Sequence, residues 1–211
     1  MGGTTGQLPS TSATLLGRLR DPADAAAWVE FDRRYRDLIV RFLQARGLQK
    51  ADAEDLAQDV LAKLVTGLRR FEYDAARGKF RGYLFRCVRG ALADHTASRA
   101  RHPVGPRDDR TAFDAVAGRR PQDDPLYAEF ERDWVDHHYR LAVQRYREAS
   151  DERGAALLDA TLAGVPAREI GQTHGMSENA VHKAQQRLRE RLRELIEEQV
   201  RDEECGDGRA S

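Results

Sequence analysis

Residues suited to chemistry concentrate in two stretches of this chain, 52–95 and 167–193. The first carries carboxylates at Asp52, Asp55 and Asp59 and an imidazole at His95, groups that would serve a metal ion or acid–base work if they converged. The spacing argues against that. The three carboxylates belong to one helix, and no Glu-x-x-His partner motif accompanies them. No Gly-rich phosphate loop, nucleophile elbow or Cys cluster occurs either. The expectation is a protein that is not an enzyme and that uses no cofactor and no metal. Recognition chemistry remains.

Two patterns suit recognition. In FEYDAARGKF, residues 71–80, aromatics bracket two cations around turn-forming Asp74 and Gly78. Such a loop can stack unpaired bases at roughly 1–3 kcal/mol each while Arg and Lys attract the backbone. Phe71 and Phe80 also suit caps on a helical core, and the residues taken alone favour that role. In the second stretch a helix-turn-helix is spelled out: Gly171 where two helices cross, Gly175 in the turn, and Ile170, Met176 and Val181 as apolar anchors. With Val181, Ala184 and Leu188 inward, Ser177, Glu178, Asn179, His182, Lys183 and Gln186 face outward, a polar set suited to base edges and phosphates. Arg187, Arg189, Arg191 and Arg193 continue it for phosphate contact. A plain helical hairpin with a solvated second helix is the competing reading.

The elements that must hold these residues are helices. Leu15, Leu16 and Leu19 mark a short one that ends before Asp21-Pro22. A second runs from about Asp24 to Arg46, with Trp28, Phe31, Tyr35, Leu38, Ile39, Phe42 and Leu43 on one stripe and Gly47 as its stop. In the third, Leu56, Val60, Leu61, Leu64, Val65 and Leu68 face the core, with Asp52 as expected N-cap. Phe80, Tyr83, Leu84, Cys87, Val88, Ala91 and Leu92 stripe the fourth and leave Arg81, Arg86 and Arg89 outside. Pro103, Gly105, Pro106, Gly118 and Pro121 then punctuate a linker in which only 113–116 suggests a brief element. Beyond it, Leu126, Phe130, Trp134, Val135, Leu141 and Tyr146 pattern a long helix, and Asp151 caps a shorter one that stops at Gly164.

A chain of 211 residues with 33% charged and 40% hydrophobic residues suits two small helical domains better than one large core. The formal charge is zero, but acids cluster at 52–59 and bases at 77–89, so local charge decides the partners. Cys87 on an apolar stripe and Cys205 in a polar tail imply no disulfide framework. The opening MGGTTGQLPSTSA is no targeting signal, and no stretch is long enough to span a bilayer, so a cytoplasmic protein without a membrane segment is expected.

DAEDLAQDVLAKL followed by FEYDAARGKFRGYLFRCVRGALADH resembles the promoter-opening domain of bacterial extracytoplasmic-function (ECF) sigma factors. The resemblance implies docking on the clamp helices of core RNA polymerase through Asp55, Gln58 and Asp59. It implies melting and reading of the minus-ten element through Tyr73, Arg77, Lys79, Arg81, Tyr83 and Arg86. AVHKAQQRLRERLREL resembles the family's recognition helix for the minus-thirty-five element, which assigns Ser177, Glu178, Asn179, His182, Lys183, Gln186 and Arg187 to promoter duplex. The family usually has Trp where this chain has Tyr83 and Asn where it has Gly90. The implied plan is all-α: a disordered lead at 1–11, a polymerase-docking and promoter-opening domain at 12–98, a flexible linker at 99–123, a helix-turn-helix domain at 124–199 and a polar tail at 200–211. Core polymerase and promoter DNA, duplex and melted, are the expected partners, and an anti-sigma factor is left open. The alternative is an autonomous helix-turn-helix regulator whose N-terminal bundle senses or dimerises and whose operator is a palindrome.

Overall fold

The computed structural model describes residues 15–19, 21, 23–70, 80–99 and 120–204, with backbone alone at 65, 66, 68–70, 99 and 202–204. Every regular element among the described residues is helical, as expected: α1 (Leu15–Arg18), α2 (Ala25–Gln44), α3 (Lys50–Arg70), α4 (Phe80–Arg99), a 3-10 turn (Pro121–Asp123), α5 (Tyr127–Ala149), α6 (Glu152–Leu162), α7 (Ala167–His174) and α8 (Glu178–Glu204). Two compact units divide the chain inside α5, after Phe130. The lead at 1–11, the linker at 100–119 with its 113–116 element, and the tail from 205 onward lie outside the described residues.

In the first unit α2 starts where Asp24 accepts a hydrogen bond from the Ala27 amide at 2.8 Å, closing one of the free N–H groups of the first turn. Arg18 pairs with the same carboxylate at 2.9 Å and with Glu30 at 3.0 Å, pinning α1 to α2. The Arg18 hydrogen bond, with the Ala27 amide, holds the Asp24 carboxyl below its ordinary range. After α2 the chain turns at Gly47, whose φ of +89° suits a residue without Cβ. Helix α3 begins at Lys50, two residues before the expected cap, so Asp52 lies inside the first turn and acts on the helix dipole rather than as N-cap. Phe31, Tyr35, Leu38, Ile39 and Phe42 of α2, Leu56, Val60, Leu61 and Leu64 of α3, and Phe80, Leu84 and Val88 of α4 are buried, with α3 packed on both α2 and α4. The Tyr35 ring lies tilted against those of Phe31 and Phe80, with centroids 4.6 and 5.4 Å away.

Helix α4 is covered on a second side as well. Residues 121–130 return along it: Pro121 packs against Gly82, Arg89 pairs with Asp124 at 3.0 Å, and Tyr127 meets the Phe85 ring at 5.1 Å. Phe130 closes on Phe42 and Phe85 at 5.1 and 5.4 Å. Arg46 lies over Phe42, donates to its carbonyl at 2.6 Å and pairs with Glu129 at 2.8 Å. The reading of 99–123 as linker and of 124 as the start of the second domain therefore changes at 120–130, which belong to the first unit. The cause is tertiary: a Pro- and Asp-rich segment is a turn locally, while Tyr127 and Phe130 supply the apolar area that docks it.

In the second unit Ala142, Leu158, Leu188, Leu192 and Leu195 form the core, with Val143, Tyr146 and Ile196 against it. Asp151 caps α6 by accepting from the Gly154 amide at 2.7 Å, and Gly164 ends that turn at φ +72°. Val135, expected inward, is 62% exposed. It lies about 100° around the helix from Trp134, and the inward places go to His137 and His138. The His138 ring is hydrogen-bonded to Gln199 at 2.9 Å, which makes its burial tolerable.

Candidate docking face and nucleic-acid interface

Asp55, Gln58 and Asp59 recur at helical spacing along α3 and all three are exposed. None makes a hydrogen bond or ion pair among the described residues. Neighbouring acids are already engaged: Glu54 with Lys50 at 3.7 Å, Asp32 with Arg36 at 2.6 Å and Asp37 with Arg41 at 2.9 Å. A helix dipole acts only over its first turn, so Asp55 and Asp59 answer no need of the fold. They form a solvated acidic surface available to a basic partner.

On α4, Arg81, Arg86 and Arg89 are half-buried. Arg86 has no ion pair among the described residues, whereas Arg89 is neutralised by Asp124. Tyr83, assigned to DNA, is instead 7% exposed. Its hydroxyl reaches α3 at Gly67, where a Cβ would overlap it, and it is hydrogen-bonded to the Cys87 thiol. Burial raises both acids, Tyr83 well above the ordinary phenol and Cys87 to about 12. That burial places Tyr83 on the apolar stripe. Tyr73, Arg77 and Lys79 lie outside the described residues.

The helix-turn-helix has the geometry its glycines imply. Gly175 adopts φ +63° and ψ +35°, ending α7 with its amide on the Gly171 carbonyl. A Cβ at Gly171 would come within 2.6 Å of the Met176 carbonyl oxygen, so only glycine allows the approach. Ser177 caps α8 by accepting from the Ala180 amide at 3.2 Å. Val181 and Leu188 are buried, and Ser177, Glu178, Asn179, His182, Lys183, Gln186 and Arg187 are all exposed, as expected. Two pairs lie within that face, His182 with Glu178 at 3.8 Å and Gln186 with Glu190 at 3.0 Å. Arg191 is held by Glu194 and Glu198 at 2.8 and 3.5 Å. Asn179, Lys183 and Arg187 make no side-chain pair among the described residues. Gln185, unremarked in the sequence, is buried and bonded to Thr161 at 3.4 Å, tying the helix to α6.

Asp124 carries no local sequence signal beyond its place after Pro121-Gln122-Asp123 in an apparent linker. Among the described residues no group of three or more His, Cys, Asp or Glu side chains is arranged to hold a metal ion. No described helix is long and apolar enough to cross a membrane.

Residues 31–102 match the family model for sigma-70 region 2, a span that takes in α2, α3 and α4 but less than half of the chain. The match supports a sigma-factor-like domain over these helices. No curated protein matches the chain.

Proposed function

We propose that this chain, similar to sigma-70 region 2 over residues 31–102, is an ECF-type sigma factor that binds core RNA polymerase, opens a promoter and sets where transcription begins. It acts in the cytoplasm and does no catalysis of its own. The observation that carries the reading is that the matched helices include, on α3, a row of exposed polar residues with no partner among the described residues, Asp55, Gln58 and Asp59. Two unpaired carboxylates one helical turn apart suit the basic side chains of a protein partner, and they would steer its approach.

The rest of the mechanism follows from the division of labour. Segment 71–81 and Arg86 of α4 meet the minus-ten element, cations on phosphate and aromatics on unstacked bases. Tyr83 supports α4 from within. The outward face of α8 enters the major groove at the minus-thirty-five element, where Asn179 suits adenine and Lys183 and Arg187 suit guanine or phosphate. An anti-sigma factor would act by covering one of these surfaces. The test is run-off transcription: purified protein with core polymerase should yield defined start sites on genomic fragments that core alone does not yield. Absence of any protein-dependent start site would overturn the proposal.

A further inference from the structure

Asp124 accepts from Arg89 Nε at 3.0 Å, and the two side chains retain 26% and 33% exposure. The pair occupies the row of α4 next to Arg86, since Arg89 is one turn beyond Arg86 and Gly82, under Pro121, one turn before it. Residues 121–124 thus border the α4 row that carries Arg86, which has no ion pair among the described residues. We propose that Asp124 is an intrachain stand-in for a backbone phosphate: it holds Arg89 in the free protein, and nucleic acid must displace it to bind α4 fully. The proposal rests on the reading of α4 as DNA-facing.

The exchange is feasible because a partly exposed ion pair contributes little to stability and one charge-assisted hydrogen bond replaces another. Asp124 is therefore a throttle and not a lock. Its other oxygen accepts from the Leu126 amide at 2.9 Å, a turn bond that an asparagine side chain retains. Asp124→Asn removes the charge and keeps the turn, and Asp124→Ser provides an independent check because its hydroxyl accepts from the same amide.

The assay is fluorescence anisotropy of the full chain with a labelled oligo-dT strand of about 20 nucleotides, read from about 50 to 200 mM salt. Asp124→Asn and Asp124→Ser should each bind more tightly at low salt. One additional phosphate contact steepens the log–log salt slope by about 0.7, an extra loss of about threefold across that range. In an Arg89→Ala background the same substitutions should give no gain. A gain that persists without Arg89 would overturn the proposal, because the effect would be general charge. If Arg86→Ala weakens binding while both Asp124 variants leave it unchanged, the stand-in role fails and the DNA-facing reading stands. If none of the three substitutions alters binding, α4 does not meet nucleic acid and both fall.

Discussion

Replacing Phe130 by alanine tests whether residues 120–130 are part of the first unit. The ring is fully buried and touches Phe42 and Phe85 at 5.1 and 5.4 Å. Truncating such a ring costs about 3–5 kcal/mol in lost transfer energy and residual cavity, with the two aromatic pairs within that sum. Small domains hold only about 5–15 kcal/mol, so a large share of the unit's stability is at stake. The chain supplies a reporter for each unit, Trp28 on α2 and Trp134 on α5. In a Trp134→Phe background, urea unfolding followed by Trp28 fluorescence should shift its midpoint by roughly 2 M, taking about 2 kcal/mol per molar for a unit of this size. A shift below about 0.5 M would refute the packing argument, because the segment would then be bystander to the first core.

Charge reversal at Asp55 and Asp59 to lysine should change unfolding free energy by less than about 0.5 kcal/mol, since neither residue has a partner among the described residues. The same change should weaken binding to core polymerase by at least tenfold in a titration, from like charges meeting across the interface. Gly175→Ala should cost about 1–2 kcal/mol from the left-handed backbone alone, as its Cβ would meet nothing within 4 Å, and Gly175→Asn should cost less. Paired calorimetric melts would read the difference. Cys87 titrates from an ordinary value of 9.0 to about 12 in the fold, so the folded state keeps a proton that the unfolded chain loses. Its contribution is complete below pH 9, fades toward pH 12, and the raised Tyr83 acts in the same direction. Stability of the first unit should fall across that window, and Cys87→Ala should flatten the fall.

Where a local signal suffices, sequence and structure agree. The stripe from Phe31 to Leu43, the cap at Asp151 and the positive-φ glycines at 47, 164 and 175 each follow from a neighbourhood of a few residues. The helix-turn-helix was legible for the same reason, down to Gly171 and Ser177. Departures arise where a distant partner decides. Lys50 and Ala51 extend α3 backward past Asp52 because both are good helix formers. His137 and His138 displace Val135 from the interior because Gln199, some sixty residues on, answers His138. Phe85 falls outside the α4 stripe yet is buried, because Tyr127 and Phe130 come back to it. Of the site, the acidic face and the α8 face were readable from pattern; Tyr83 was not, since one tyrosine serves a core or a surface and Gly67 opposite makes it core.

Under the proposed function, promoter opening belongs to the assembly with core polymerase. Opening several stacked pairs at about 1.4 kcal/mol each exceeds what one short aromatic loop can return. Permanganate footprinting of promoter thymines with the full chain, with core polymerase and with both measures this directly. Reactive thymines near the minus-ten element should appear only with both present. Tight binding by the free protein, as a dimer on a palindrome at physiological salt with no core-dependent melting, would contradict the account and favour the autonomous regulator.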